Sequence, residues 1–89
     1  MTIKEAKLPV ILHLVFDNDS ELYSCELVAV ENVDDESDTC NLVCEDLMPQ
    51  TCRLKVQYSS LNADAIHFET GVHLFLDENE AKKLAETFK

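Results

Sequence analysis

Between Lys7 and Arg53 the chain contains no Lys and no Arg, and it holds only seven bases among 89 residues. That absence argues against direct binding of DNA or RNA, because phosphate neutralisation would fall to a few scattered cations. No apolar run approaches the roughly 18 residues that a membrane-spanning helix needs, so no membrane role is expected. The opening Met1-Thr2-Ile3-Lys4-Glu5-Ala6-Lys7 is followed by a short apolar stretch with Pro9 and His13 and no small-residue cleavage pattern. It reads as no signal peptide, and the expected compartment is the cytosol, a cytoplasmic localisation. The six aromatics, Phe16, Tyr23, Tyr58, Phe68, Phe75 and Phe88, are too few and too regularly placed on apolar positions to form a base-stacking platform.

Cys-x-x-Cys is missing as well. Cys25, Cys40, Cys44 and Cys52 leave only a Cys40-x-x-x-Cys44 spacing, with His13, His67 and His73 distant in sequence. On one strand, the Cα atoms of Cys40 and Cys44 would lie about 13 Å apart, beyond disulfide range. The cysteines are therefore expected as buried free thiols, with no metal and no cofactor. Asp17, Asp19 and Glu21 have the alternate spacing that opens a calcium loop, but Leu22 occupies the glycine position and Val28 the position of the bidentate glutamate, so that match fails. A looser divalent site in Asp34 to Asp38 is the nearest ligand-binding alternative. No nucleophile, phosphate cradle or oxyanion site accompanies His67 and His73, which share one strand parity with Glu69 and Phe75, so no enzyme activity is expected.

What the chain does have is a block of one charge sign. Asp17, Asp19, Glu21, Glu26, Glu31, Asp34, Asp35, Glu36, Asp38, Glu45 and Asp46 supply eleven acids where no base is present, and elsewhere seven acids meet seven bases. The block thus accounts for the whole net charge of −11. Apolar content of 46% with regular alternation shows that this charge decorates a fold rather than preventing one. The length fits a single domain, residues 1–89, with one modest core.

The dominant period is two. Leu8 to Phe16 is apolar at every even position, with Ile11 and Val15 on the other parity, and reads as a first strand covered on both faces. Asp17-Asn18-Asp19-Ser20 is a turn, and Glu21 to Val30 a second strand with Tyr23, Cys25, Leu27 and Ala29 on one side. Asp34 to Asp38 is a charged loop, Thr39 to Leu47 a third strand, and Met48-Pro49-Gln50 a turn. In the fourth strand Cys52, Leu54, Val56 and Tyr58 oppose Arg53, Lys55 and Gln57, whose polar side should meet water or the acidic face of a neighbour. After a loop at Ser59 to Asp64, Ile66, Phe68, Thr70, Val72, Leu74 and Leu76 hold one parity through Gly71 and read as a fifth strand, with Phe75 pointing the other way toward an interface or a loop. Asp77 with Glu80 forms a capping box, and Ala81, Leu84, Ala85 and Phe88 make the apolar stripe of a helix over Glu78 to Lys89.

The expected fold is α+β: a five-stranded antiparallel, strongly curved sheet, a meander or partly closed barrel, with one C-terminal helix packed on it. The strand count is similar to curved sheets of the Sm or SH3 kind, but the glycines such sheets use at their bends are missing, and no family is assigned.

Function follows from charge. A one-signed field steers and selects cationic partners. The expected role is a small, non-catalytic module that captures a basic protein as an inhibitor or regulator, a protein whose own ligand is a nucleic acid being one candidate partner. Same-face residues on a strand repeat every 6.6 to 6.8 Å, about every second phosphate of a DNA strand, so a carboxylate row can mimic that polyanion. Small acidic inhibitors encoded by phages and other mobile elements act this way as a class. The contact residues expected are Asp17, Asp19, Glu21, Glu26, Glu31, Asp34, Asp35, Glu36 and Asp38, and reversal of the four loop acids among them is expected to leave the fold stable. A free sheet edge would also allow a homodimer.

Overall fold

The computed structural model describes residues 1–45 and 51–89. Its elements run β1 (Val10–Phe16), β2 (Tyr23–Asp34), β3 (Thr39–Glu45), β4 (Thr51–Gln57), a 3-10 turn (Tyr58–Asn62), β5 (Ala65–His67), β6 (Val72–Phe75) and α1 (Glu78–Glu86). The turn expected at Met48-Pro49-Gln50 and the end of the third strand at Leu47 lie outside the described residues. The fold is α+β, a curled antiparallel sheet with one C-terminal helix, in the order β4-β3-β2-β1-β6-β5.

The sheet has six strands, not five, because the segment expected as one last strand is a hairpin. Ile66 pairs with Leu74 and His67 with His73. Even positions pair with even ones, so both sides of the hairpin keep the parity that a continuous strand would show. The reversal occurs at Phe68 to Gly71, where Phe68 N–H donates to the Val72 carbonyl at 2.8 Å and Gly71 N–H to the Phe68 carbonyl at 3.0 Å. Gly71 sits at φ +90°, which side chains rarely tolerate.

The other bends use Asn and Asp in place of glycine. Asn18, Asn32 and Asp38 adopt left-handed backbone at φ 65°, 53° and 54°, a conformation these short polar side chains accept more readily than others. Asn32 lies in the second of two irregularities in β2. At the first, Leu27 faces Cys44 but Ala29 faces Val43, so Val28 is an extra residue. The inward set is therefore Cys25, Leu27 and Val30, and Ala29 leaves the side on which simple alternation put it.

The main core fills the concave face. Leu12, Leu27, Leu42, Leu61 and Leu74 are fully buried there, each worth about 1.5–3 kcal/mol relative to exposure. Ile3 joins them from the N-terminal segment, which is tied down by Ile3 N–H to the Ala63 carbonyl and Lys4 N–H to the Leu61 carbonyl. Curling follows from connectivity. A flat six-stranded sheet would hold its edges about 24 Å apart. The link from edge strand β4 to edge strand β5 is short and largely 3-10 helix, a conformation rising only about 2 Å per residue.

A second cluster lies on the opposite face, where Val15, Phe75, Ala81 and Ala85 are buried with Leu22, Ala65, Leu84 and Phe88 packed around them. Phe75 is thus covered by α1, not by an interface or a loop. Asp77 caps α1 by accepting from Asn79 N–H at 2.8 Å. The helix ends at Glu86, short of Lys89, as the Thr87 hydroxyl donates to the Leu84 carbonyl at 2.6 Å.

Candidate functional site

The acidic block does not form one surface. Asp17, Asp19 and Glu21 sit at the β1–β2 turn, and Asp34 to Asp38 at the turn that ends β2. β2 has 12 residues, a span of about 36 Å. Fields from the two ends do not add where the screening length is about 8 Å.

Between them lies the outer face of β2 and β3. Glu26 pairs with Ile11 on β1 and with Glu45 on β3, so these three share one row. Further along the face come Ala29 beside Val43, Glu31 beside Asn41, and Asp34 beside Thr39. The two irregularities break the even carboxylate repeat expected along this strand. Like charges directly opposite each other weaken a sheet, and Glu26 and Glu45 are such a pair, both exposed. Among the described residues, Arg53 supplies the only Lys or Arg contact to this block, its Nε lying 3.5 Å from Glu31. Both side chains are exposed, which makes the pair worth little. Arg53 and Lys55 thus border the acidic face from edge strand β4, as the alternation of that strand foretold.

Several of the acids build their own turns. Asp19 accepts from Glu21 N–H at 2.9 Å and from the Tyr23 hydroxyl at 2.8 Å. The backbone bond from Glu21, then the Tyr23 hydroxyl, hold its carboxyl below the usual range, and the Tyr23 phenol is pushed up to about 12, chiefly by its bond to Asp19. Asp34 accepts from the Glu36 and Ser37 amides. Its carboxyl is lowered too, foremost by the Ser37 side chain. Asp38 reaches 21 residues along the chain to Ser59, accepting from its N–H at 2.9 Å and its hydroxyl at 2.6 Å. Reversing all four loop acids would therefore disturb two structural carboxylates, contrary to the expectation from sequence. Among the described residues, Asp35, Glu36, Glu26 and Glu45 accept no such turn-building bond.

All four cysteines remain thiols. Cys40 and Cys44 are buried beside Leu42 as expected, whereas Cys52 is exposed. Cys44 is raised above the ordinary thiol range, first by hydrogen bonding with Cys25 and then by burial. Burial, with Asp38 nearby, raises Cys40.

The histidines meet a carboxylate from a distant part of the chain. His67 Nδ1 lies 2.8 Å from His73 Nδ1, and His73 Nε2 lies 2.8 Å from Asp17 Oδ1. Asp17 is 56 residues from His73 in the chain, and only the pairing of β1 with β6 joins them.

The chain matches no protein-family model, and no curated protein or solved structure gives a match to it. Function must therefore be argued from geometry alone. Among the described residues, no helix is long and apolar enough to cross a membrane.

Proposed function

We propose that the chain is a non-catalytic protein-binding module that captures a basic partner, acting as its inhibitor or regulator, through the outer face of β1–β3 that α1 leaves open. The observation that carries this reading is the row Ile11–Glu26–Glu45. A large apolar side chain stands exposed beside two facing carboxylates that no Lys or Arg approaches within 4.0 Å among the described residues. The fold gains nothing from either feature, whereas a partner surface with an apolar contact ringed by Lys and Arg would satisfy both. Asp35 and Glu36 at one end and Glu21 at the other extend the attraction as separate patches. A nucleic-acid-binding protein is one source of such a surface.

The test is crosslinking and mass spectrometry in native extract, repeated with Glu26→Lys/Glu45→Lys and with Ile11→Asp. A basic protein crosslinked to β1–β3 at low salt, released at raised salt and lost in both variants, is the expected result. Retention unchanged by the double reversal would sink the reading. A second copy pairing along β4, the longer of the two free edges, would instead show as a dimer in size-exclusion chromatography that charge reversal leaves intact.

A further inference from the structure

Cys44 and Cys52 make a pair that protein capture does not use. They face each other directly across β3 and β4. Residues directly opposite on antiparallel strands have Cα atoms about 4.5–5.5 Å apart, inside the range of roughly 4.4–6.8 Å that a disulfide spans. The other cysteines do not meet this condition. Leu27 is the residue of β2 opposite Cys44, which leaves Cys25 diagonal to it. Diagonal neighbours lie about 7–8 Å apart, beyond bridging range without backbone movement. Cys40 faces Val56 and shares a strand with Cys44, at a separation of about 13 Å.

The two thiols of the pair differ in access. Cys44 is buried in the main core, and hydrogen bonding with Cys25, followed by burial, raises its thiol so that it stays protonated near neutral pH. Cys52 has the same inward parity but stands near the start of edge strand β4 and is exposed. An oxidant therefore reaches Cys52 first, and Cys44 is reached only from within the molecule. An accessible thiol with a second one poised beside it is the arrangement in which oxidation ends in a disulfide. A net charge of −11 repels anionic oxidants and leaves a small neutral one free to approach.

We propose that Cys52 and Cys44 are a site of reversible oxidation, a latch that fastens edge strand β4 to β3 when the chain meets a small neutral hydroperoxide. With hydrogen peroxide, the Cys52 sulfur takes one oxygen as the O–O bond breaks, giving the sulfenic acid, and the thiol proton leaves with the other oxygen as water. The Cys44 sulfur then displaces the sulfenic hydroxyl to form the S–S bond, and that hydroxyl departs with the Cys44 proton as a second water. Two thiols are oxidised and one peroxide is reduced. The thiolate is the attacking form, so the raised Cys44 thiol makes the second step slow at neutral pH and faster as pH rises. A dithiol reductant reopens the bond by exchange.

The test treats the reduced chain with hydrogen peroxide, digests it after glutamate and sequences the linked peptides by mass spectrometry. Cleavage after Glu26, Glu31, Glu36 and Glu45 puts Cys25, the Cys40 to Cys44 segment and Cys52 in different peptides. Cys44 joined to Cys52 in a monomer two hydrogens lighter is the expected product, formed faster as pH rises. Its thermal midpoint should lie about 5–10 °C above that of the reduced chain. Cys52→Ser, at an exposed position that keeps the fold, should abolish the bond, and Cys25→Ser should leave it. Cys25 joined to Cys44, Cys52 joined to a second copy, Cys52 carried on to sulfinic acid while Cys44 stays a thiol, or closure undiminished in Cys52→Ser would overturn the proposal. No basic partner enters the measurement, so it stands or falls apart from the capture reading.

Discussion

Ile11 and Val15 lie four residues apart on the same face of β1, yet Val15 is 0% exposed and Ile11 is 55% exposed. The difference is α1. It covers β1 and β6 over Val15 and Phe75, and its short length leaves the β2–β3 side of the same face bare. Periodicity assigns a residue to a face; whether that face is covered depends on where a distant element lands. The covered half is a second core, and the open half is where apolar and acidic side chains stand together without a structural reason.

The sharpest way to break this comparison is to empty each half in turn. Phe75→Ala removes the largest side chain under the helix and should cost about 3 kcal/mol. Ile11→Ala should stay within about 0.5 kcal/mol, as exposed substitutions do. Urea unfolding of the two variants measures both. Equal losses would mean that Ile11 is covered in solution and is no docking contact.

The same contrast runs through the acids. Asp38 anchors the end of the β2–β3 turn to Ser59 and holds a left-handed backbone, whereas Asp35 has no bond to the fold among the described residues. Asp38→Ala should lose about 1 kcal/mol, and Asp35→Ala nothing measurable in the same unfolding assay. If the two behave alike, the division between structural and partner-facing acids is wrong.

Much of the fold was legible, and its failures have identifiable causes. Alternation located β1, β3 and β4, and the cap at Asp77 with its apolar stripe located α1. The β5–β6 hairpin stayed hidden because pairing even positions with even ones reproduces the parity of one long strand, leaving Gly71 as the only signal. Bulges in β2 were invisible because Val28 and Ala29 are both apolar, so a shift of face changes no pattern. The bends that a glycine count seemed to forbid are made by Asn18, Asn32 and Asp38. For the acidic block, sequence gave the residues and their sign but not their dispersal, since it is the length of β2 that parts the two turns. Asp17 was read as one more surface acid because its link to His73 exists only through strand order.

A smaller effect sharpens the functional half of the comparison. Glu45→Lys turns a repulsive cross-strand pair with Glu26 into an attractive one and should stabilise the sheet by about 0.5 kcal/mol. The gain should shrink as salt rises, because both side chains are exposed. The same variant should weaken capture of a basic partner, so stability and binding move in opposite directions. A surface kept only for solubility would show the first change without the second.

The least perturbing test reads the first turn without altering the fold's charge face. Tyr23 donates to Asp19 at 2.8 Å, which pushes its phenol up to about 12 from an ordinary value near 10. The folded state therefore holds this proton more tightly than the unfolded chain does. Its contribution to stability is complete below about pH 10 and is lost as pH rises through about 12. The Asp19 carboxyl, lowered by the Glu21 amide and the same hydroxyl, acts in the opposite sense. It supports the turn above the ordinary carboxylate range near pH 4 and ceases to as pH falls through its depressed folded value. Ultraviolet titration of the phenols should show Tyr23 ionising late, and Asp19→Asn should bring it back toward 10. Unchanged late ionisation in that variant would mean that the general negative field, not the Asp19 bond, holds the proton, and the β1–β2 turn would then belong with the acids that face outward.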